Sequence, residues 1–243
     1  MRYIKQYGIQ RSCTNYVKLL IEENFRQVHV LASTLGWKHG SHPEKVDWSG
    51  GDWGAEGSDP LTHFSREELV AIRESYETGE LGYLVCLKDP YAWLVSFTAY
   101  ESRKSRWANV KNLVRKVDSR RLPEYLNCWN RVHSSWLQLL QQNRRATSVR
   151  YEDLLRDMEG EMNRLGEFFS LERKGPFYQP GHYLVRGGER LSRTTGLTNS
   201  RFDQHEYYLN RDYLNYFTRG DLQLFAASID QGLVETLGHQ VHV

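Results

Sequence analysis

The sequence predicts an α/β fold, a central and mostly parallel sheet flanked by helices, and three observations carry that reading. Residues 3–25, YIKQYGIQRSCTNYVKLLIEENF, pass from strand-like alternation to helical spacing across a turn opened by Gly8. Leu81 to Leu87, LGYLVCL, is an unbroken apolar run between turn signals, the pattern of a strand covered on both faces. Ala146 to Arg150 reads as a further strand, followed by Tyr151-Glu152-Asp153-Leu154-Leu155 and then a helix. Strands that alternate with helices pair in parallel. A chain of 243 residues can bury the core of one such domain, so residues 1–243 are read as a single unit.

In chain order, Tyr3 to Tyr7 forms the first strand. From Asn15 the apolar residues Tyr16, Leu19, Leu20 and Phe25 recur at helical spacing. Between them, Gln10-Arg11-Ser12-Cys13-Thr14-Asn15 brings one arginine and three polar side chains to a helix N-terminus. Unpaired N–H groups and a partial positive charge there favour an anion such as phosphate or sulfate. Val28 to Ala32 is the second strand and leads to Leu35-Gly36-Trp37-Lys38-His39-Gly40. Residues 41–64, rich in Gly, Ser, Asp, Trp and His, read as a substrate lid or a plain insertion. Ser65 with Glu68 makes a capping box for a helix that runs to about Thr78 and stops at Gly79.

After the apolar run come Lys88 and Asp89, and Pro90 suits the first turn of a helix. The basic stretch Glu101 to Arg121 is a solvated face or an attractor for anions. Leu122 to Gln142 carries the stripe Tyr125, Leu126, Trp129, Val132, His133, Trp136, Leu139 and Leu140, with His133 read as a satisfied core histidine. A helix from Met158 to Phe169 follows. Residues 174–206 read as a glycine-punctuated loop. Tyr208 to Leu237 is expected as two helices, split near Thr218-Arg219-Gly220, that pack on the sheet without a special role.

Composition narrows the function classes. The net charge of +2 makes no bulk case for nucleic acid or a membrane surface. Cys13, Cys86 and Cys128 are odd in number and lack metal-ligand spacing, which suits a reducing compartment and predicts no metal centre. No 18-residue apolar run and no signal peptide is read, so no membrane span and a cytoplasmic location are expected.

The fingerprint Gly-x-x-x-x-Gly-Lys-Ser/Thr is absent. The loop Arg11-Ser12-Cys13-Thr14-Asn15 instead resembles the phosphosulfate-binding loop of the sulfotransferases that use 3′-phosphoadenosine 5′-phosphosulfate (PAPS), with Cys13 in the position of a glycine. If that position needs a positive φ, a cysteine there is strained. Two further stretches share the resemblance. Lys88-Asp89-Pro90, with Ser96 eight residues after Lys88, is similar to the family's Arg-Asp-Pro motif, lysine standing for arginine. Val149-Arg150-Tyr151-Glu152-Asp153-Leu154-Leu155 is similar to the segment that follows the family's long helix. The resemblance covers roughly residues 2 to 170, judged by the strand–helix pattern.

The resemblance implies a P-loop-like α/β architecture and transfer of a sulfuryl group from PAPS to a hydroxyl or amine, leaving adenosine 3′,5′-bisphosphate (PAP). It implies that Arg11 steadies the leaving phosphate, that Arg11, Ser12, Cys13, Thr14, Asn15 and Tyr16 surround the 5′-phosphosulfate, and that Lys88 and Ser96 bind the 3′-phosphate. Tyr151 would lie near adenine, and a late arginine, Arg186, Arg190 or Arg193, would cover the nucleotide; Arg186 is the representative choice. The family's base position points to His39, with His42 and Glu44 as rivals. Trp37, Trp48 and Trp53 suggest a carbohydrate acceptor by stacking. Two alternatives stay open: a nucleotide or small-molecule kinase of P-loop type, and a catalytically impaired binding protein on the same fold.

Overall fold

The computed structural model describes residues 1–44, 46, 64–104, 117–180 and 205–242. Four strands, β1 (Arg2–Tyr7), β2 (Val28–Leu31), β3 (Gly82–Leu87) and β4 (Ala146–Arg150), form one sheet in the order β2-β1-β3-β4. Every pairing is parallel, with Ile4 opposite Val30 on one side of β1 and Gly82 on the other. The sheet is the fold class that the sequence predicts.

Between the strands lie α1 (Thr14–Asn24), α2 (Arg66–Glu77), α3 (Pro90–Lys104) and α4 (Leu122–Gln142). α5 (Tyr151–Arg156) and α6 (Met158–Phe169) follow β4. The predicted capping box at α2 is present: Ser65 Oγ accepts the Glu68 N–H and the Glu68 carboxylate accepts the Ser65 N–H.

Strand alternation sorts the side chains into two cores. Ile4, Val30, Leu84, Cys86 and Val149 face one way and pack with Tyr16, Val17, Leu20 and Ile21 of α1 and Met162, Leu165 and Phe169 of α6. Tyr7, Leu31, Tyr83, Val85 and Leu87 face the other way, against α3, α4 and the C-terminal helices. Trp93, Trp129 and Trp136 are fully buried in this second core, each worth on the order of 2–3 kcal/mol of apolar burial. α1 and α3 therefore cover opposite faces, although β1 and β3 are neighbours. The mouth between the carboxyl ends of β1 and β3 is the topological switch point, the place where open α/β sheets take ligands.

The C-terminal region differs from the two expected helices. It comprises α7 (His205–Leu209), a 3-10 turn (Asp212–Tyr216), α8 (Arg219–Ser228) and α9 (Gln231–Thr236). Arg211 stands in left-handed backbone and ends one piece, while Thr218 with Asp221, and Asp230, cap the starts of the next two. His133 is a core histidine as expected, stacked on Trp129 at 3.8 Å between centroids, with Nδ1 donating to the Trp129 carbonyl. Its Nε2 finds no partner among the described residues, and burial pushes the imidazole down to about 3. No described helix is long and apolar enough to cross a membrane.

Candidate active site at the switch point

The loop after β1 is held by close contacts. A Cβ on Gly8 would meet Thr14 Cγ2 at 2.6 Å, Ser12 Oγ at 2.7 Å and Cys86 Cβ at 2.9 Å, so only glycine fits. Ser12 is buried and spends both its donors on the Ile9 carbonyl, N–H at 3.1 Å and Oγ at 2.7 Å. It locks the turn and offers no free donor to a ligand. From below, Gln6 Nε2 donates to the Thr14 carbonyl at 3.1 Å and to Cys86 Sγ at 3.2 Å. Arg11 and Cys13 both have positive φ, 75° and 63°. The strain expected for a cysteine in the glycine position is thus present, at a cost of about 1–2 kcal/mol. The sign of φ alternates along Arg11, Ser12 and Cys13, an arrangement that turns successive N–H groups into a concavity for anions. Cys13 is the N-cap of α1, and the Thr14 and Asn15 N–H groups take no partner among the described residues.

Among the described residues, two cations reach this loop. Arg11 is exposed; its Nε donates to Ser96 Oγ of α3 at 3.4 Å, and its guanidinium lies 5.6 Å from the Tyr100 ring centre. The other is Lys38, which the sequence reading passed over. Lys38 is buried and its Nζ donates to Asn15 Oδ1 in the first turn of α1, while its carbonyl accepts the Gly8 N–H at 2.9 Å. The segment bearing Lys38 is fixed by Lys5 of β1, whose buried Nζ donates to the carbonyls of Ala32 and Thr34, each at 2.9 Å, and of Gly36.

His39 follows Lys38 and is half-buried, with Nδ1 bonded to the Gly8 carbonyl and its ring edge-on to exposed Trp37. A carbonyl only accepts, so Nδ1 carries the proton and Nε2 carries the lone pair. Burial pushes this imidazole down to about 4 against the opposing bond to Gly8, and the charges of Lys38 and Lys5 push the same way as burial. It is neutral at pH 7. The rival His42 turns into the core: its ring bonds Tyr7 OH at 3.0 Å and its N–H donates to Ser135 Oγ. Glu44 is exposed.

The loop after β3 is built from buried charge. Asp89 Oδ1 accepts the Tyr91 and Ala92 N–H groups at 2.9 and 3.0 Å, capping α3. The Asp89 N–H donates to Glu152 Oε1 at 3.0 Å. Through this bond Glu152 ties α5 to the loop after β3. Its Oε2 is enclosed without a partner among the described residues, and burial, together with the charge of Asp89, pushes the carboxyl up to about 7. Lys88 is 4% exposed. Its Nζ lies 4.7 Å from the Tyr151 ring centre and 4.4 Å from that of Tyr208, and donates to Tyr208 OH at 3.4 Å.

The structure therefore gathers Arg11 with Ser96, Lys38 and His39 with Gly8 and Asn15, and Lys88 with Tyr151. Tyr16 stands apart: it is buried in the core under α1, with its hydroxyl donating to the Pro180 carbonyl at 3.2 Å. Arg186, Arg190, Arg193, Trp48 and Trp53 lie outside the described residues. A cavity of about 690 Å³ at the opposite ends of the strands is lined by Arg2, Arg26, Glu74, Glu80 and Glu172, and touches none of these loops.

Fold and site together define an α/β protein with two cationic loops at its switch point. Among solved structures, the crystal structure of mouse sulfotransferase SULT7A1 complexed with PAP is similar in fold, with a TM-score of 0.52 at 14% identity, over 93% of this chain and 81% of that one. The sequence matches no family model and no curated protein. At that identity the likeness establishes the fold, a parallel sheet flanked by helices.

Proposed function

We propose that this protein is a PAPS-dependent sulfotransferase that moves a sulfuryl group to a hydroxyl or amine of an acceptor. The observation that carries the proposal is the meeting of the two motif loops: Arg11 of the first rests on Ser96 of the second, at the switch point of a fold shared with a PAP-bound sulfotransferase. Sulfuryl transfer spreads negative charge over the moving group and the leaving phosphate, so fixed cations and N–H groups supply most of the catalysis. In this reading the Thr14 and Asn15 N–H groups hold the phosphosulfate, Arg11 and Lys38 meet the charge on the leaving phosphate, and Lys88 takes the 3′-phosphate. Tyr151 borders the nucleotide, and Arg186 belongs to its cover. His39 Nε2 takes the acceptor's proton as the acceptor atom bonds to sulfur and the bond to the bridging phosphate oxygen breaks, releasing PAP. Neutral His39, with its tautomer set by Gly8, suits that role; the negative charge of a bound donor nearby would raise its basicity toward the working pH. Exposed Trp37 beside His39 makes a carbohydrate the first acceptor to try.

Calorimetry with PAP, AMP and ATP, on wild type and Lys88→Ala, tests the reading. PAP is expected to bind more tightly than AMP, and Lys88→Ala to lose that preference. Preference for ATP with magnesium, or no nucleotide binding, would overturn it.

A further inference from the structure

The corner around Lys88 holds a group that neither motif explains. We infer that the Tyr208 hydroxyl is a second donor to the 3′-phosphate of the bound nucleotide, acting beside Lys88; the inference rests on the proposed PAPS reading and adds a specificity residue to it. Lys88 is buried, and no carboxylate forms an ion pair with it among the described residues. Its ammonium sits in the angle between two aromatic rings, Tyr151 and Tyr208, that meet at 5.0 Å and 89°. Cation–π attraction holds the charge in place without neutralising it, so the charge stays available to an anion. A compact ammonium fits between perpendicular faces, where a planar guanidinium stacks on one face only. That accounts for lysine in a position where the resemblance leads one to expect arginine.

The hydrogen bond between the two residues has one possible direction. An ammonium has three protons and no acceptor, so Lys88 donates and the Tyr208 oxygen accepts at 3.4 Å. The phenolic proton is left over, and it has no acceptor among the described residues. Tyr208 and Tyr151 are half-buried where Lys88 is buried, so an anion that reaches the ammonium passes along their edges. A phosphate monoester in contact with Lys88 would meet the Tyr208 O–H as it arrives. Two donors that converge on one 3′-phosphate favour a nucleotide with a phosphate at that position over one without it.

Tyr208→Phe keeps the ring and removes the donor. Calorimetry on wild type and Tyr208→Phe, with PAP and with AMP, reads the effect. PAP affinity is expected to fall about tenfold or more in the variant, while AMP affinity changes less than about twofold. Unchanged AMP binding certifies the folded site. Equal PAP affinity in the two proteins, or an equal loss for both nucleotides, overturns the role of Tyr208 and leaves the PAPS reading standing. A wild type that does not prefer PAP to AMP removes the PAPS reading, and the role of Tyr208 falls with it.

Discussion

The loop after β1 and the loop after β3 stand side by side because their strands pair, yet they are built by opposite means. The first relies on backbone: a glycine with no room for a Cβ, two residues at positive φ, a buried serine that folds back on its own turn, and N–H groups left open at the start of α1. The second has no positive φ and relies on buried side chains, with Asp89 capping α3, Glu152 bracing Asp89 and Lys88 held between two rings. The first offers an anion a shaped set of dipoles with an exposed arginine; the second offers one desolvated charge. Strain is stored in the first and charge in the second, so the two should fail under different perturbations.

Four measurements sharpen or break that contrast. The largest effect is expected at His39, which is oriented by the backbone of the first loop. His39→Gln should lower kcat about 10²–10⁴-fold with PAP affinity little changed. In wild type, the acid limb of kcat/KM for free enzyme should lie near pH 4 and below the usual histidine range, with activity lost as pH falls through it. Full activity in the variant, or an acid limb unchanged between the variant and wild type, would remove His39 as the base. Next is Gly8→Ala, where overpacking against Thr14, Ser12 and Cys86 should cost about 2–3 kcal/mol in urea unfolding and weaken PAP binding with it. Wild-type stability there would show that the first loop yields easily.

Glu152 gives the pH arm. Its folded-state pKa is raised, so the stability linked to its protonation is present at low pH and is lost as pH rises from about 4.5 through about 7. Glu152→Gln should therefore gain up to about 3 kcal/mol over wild type at pH 8 and nothing at pH 4. A variant destabilised equally at both values would mean that the carboxylate is needed in its charged form. The smallest effect is Cys13→Gly: relief of left-handed strain, reduced by glycine's larger unfolded-state entropy, should raise stability by about 0.5–1 kcal/mol, read as a rise of a few degrees in Tm. A fall in Tm would mean that the thiol's packing outweighs the backbone.

Much of this was legible from the chain alone, for a physical reason. β3 and α4 declare themselves through local apolar patterns, and the capping box at Ser65 through two residues three apart. The strain at Cys13 was visible as a side chain in a position where the resemblance supplies glycine. What the sequence hid depends on long-range placement. Lys38 looked like a neighbour of His39, and only the packing of its segment against Gly8 sends the amine to Asn15. Tyr208 lies far along the chain from Lys88 and carries no local mark of the contact. Glu152 sits first-turn in α5, where a capping role is the natural local reading, yet it serves a different strand's loop. The four-piece C-terminal region did carry local signals, in the Thr218–Asp221 box and the Asp230 cap, that two-helix periodicity overrode.

The order of the sheet has a consequence for how the protein is made. β1 pairs with β2 across a short stretch of chain, but with β3 only by bringing Ile4 to Gly82, a distant closure that forms slowly because chain entropy must be lost first. The paired cationic loops exist only once that closure is complete. Partly folded chains with β1, α1 and β2 in place would hold half of the proposed anion site and, on the proposed reading, bind a nucleotide poorly. A nucleotide that needs both halves would then act as a late checkpoint in folding, stabilising the finished sheet by mass action and doing little for anything assembled before it.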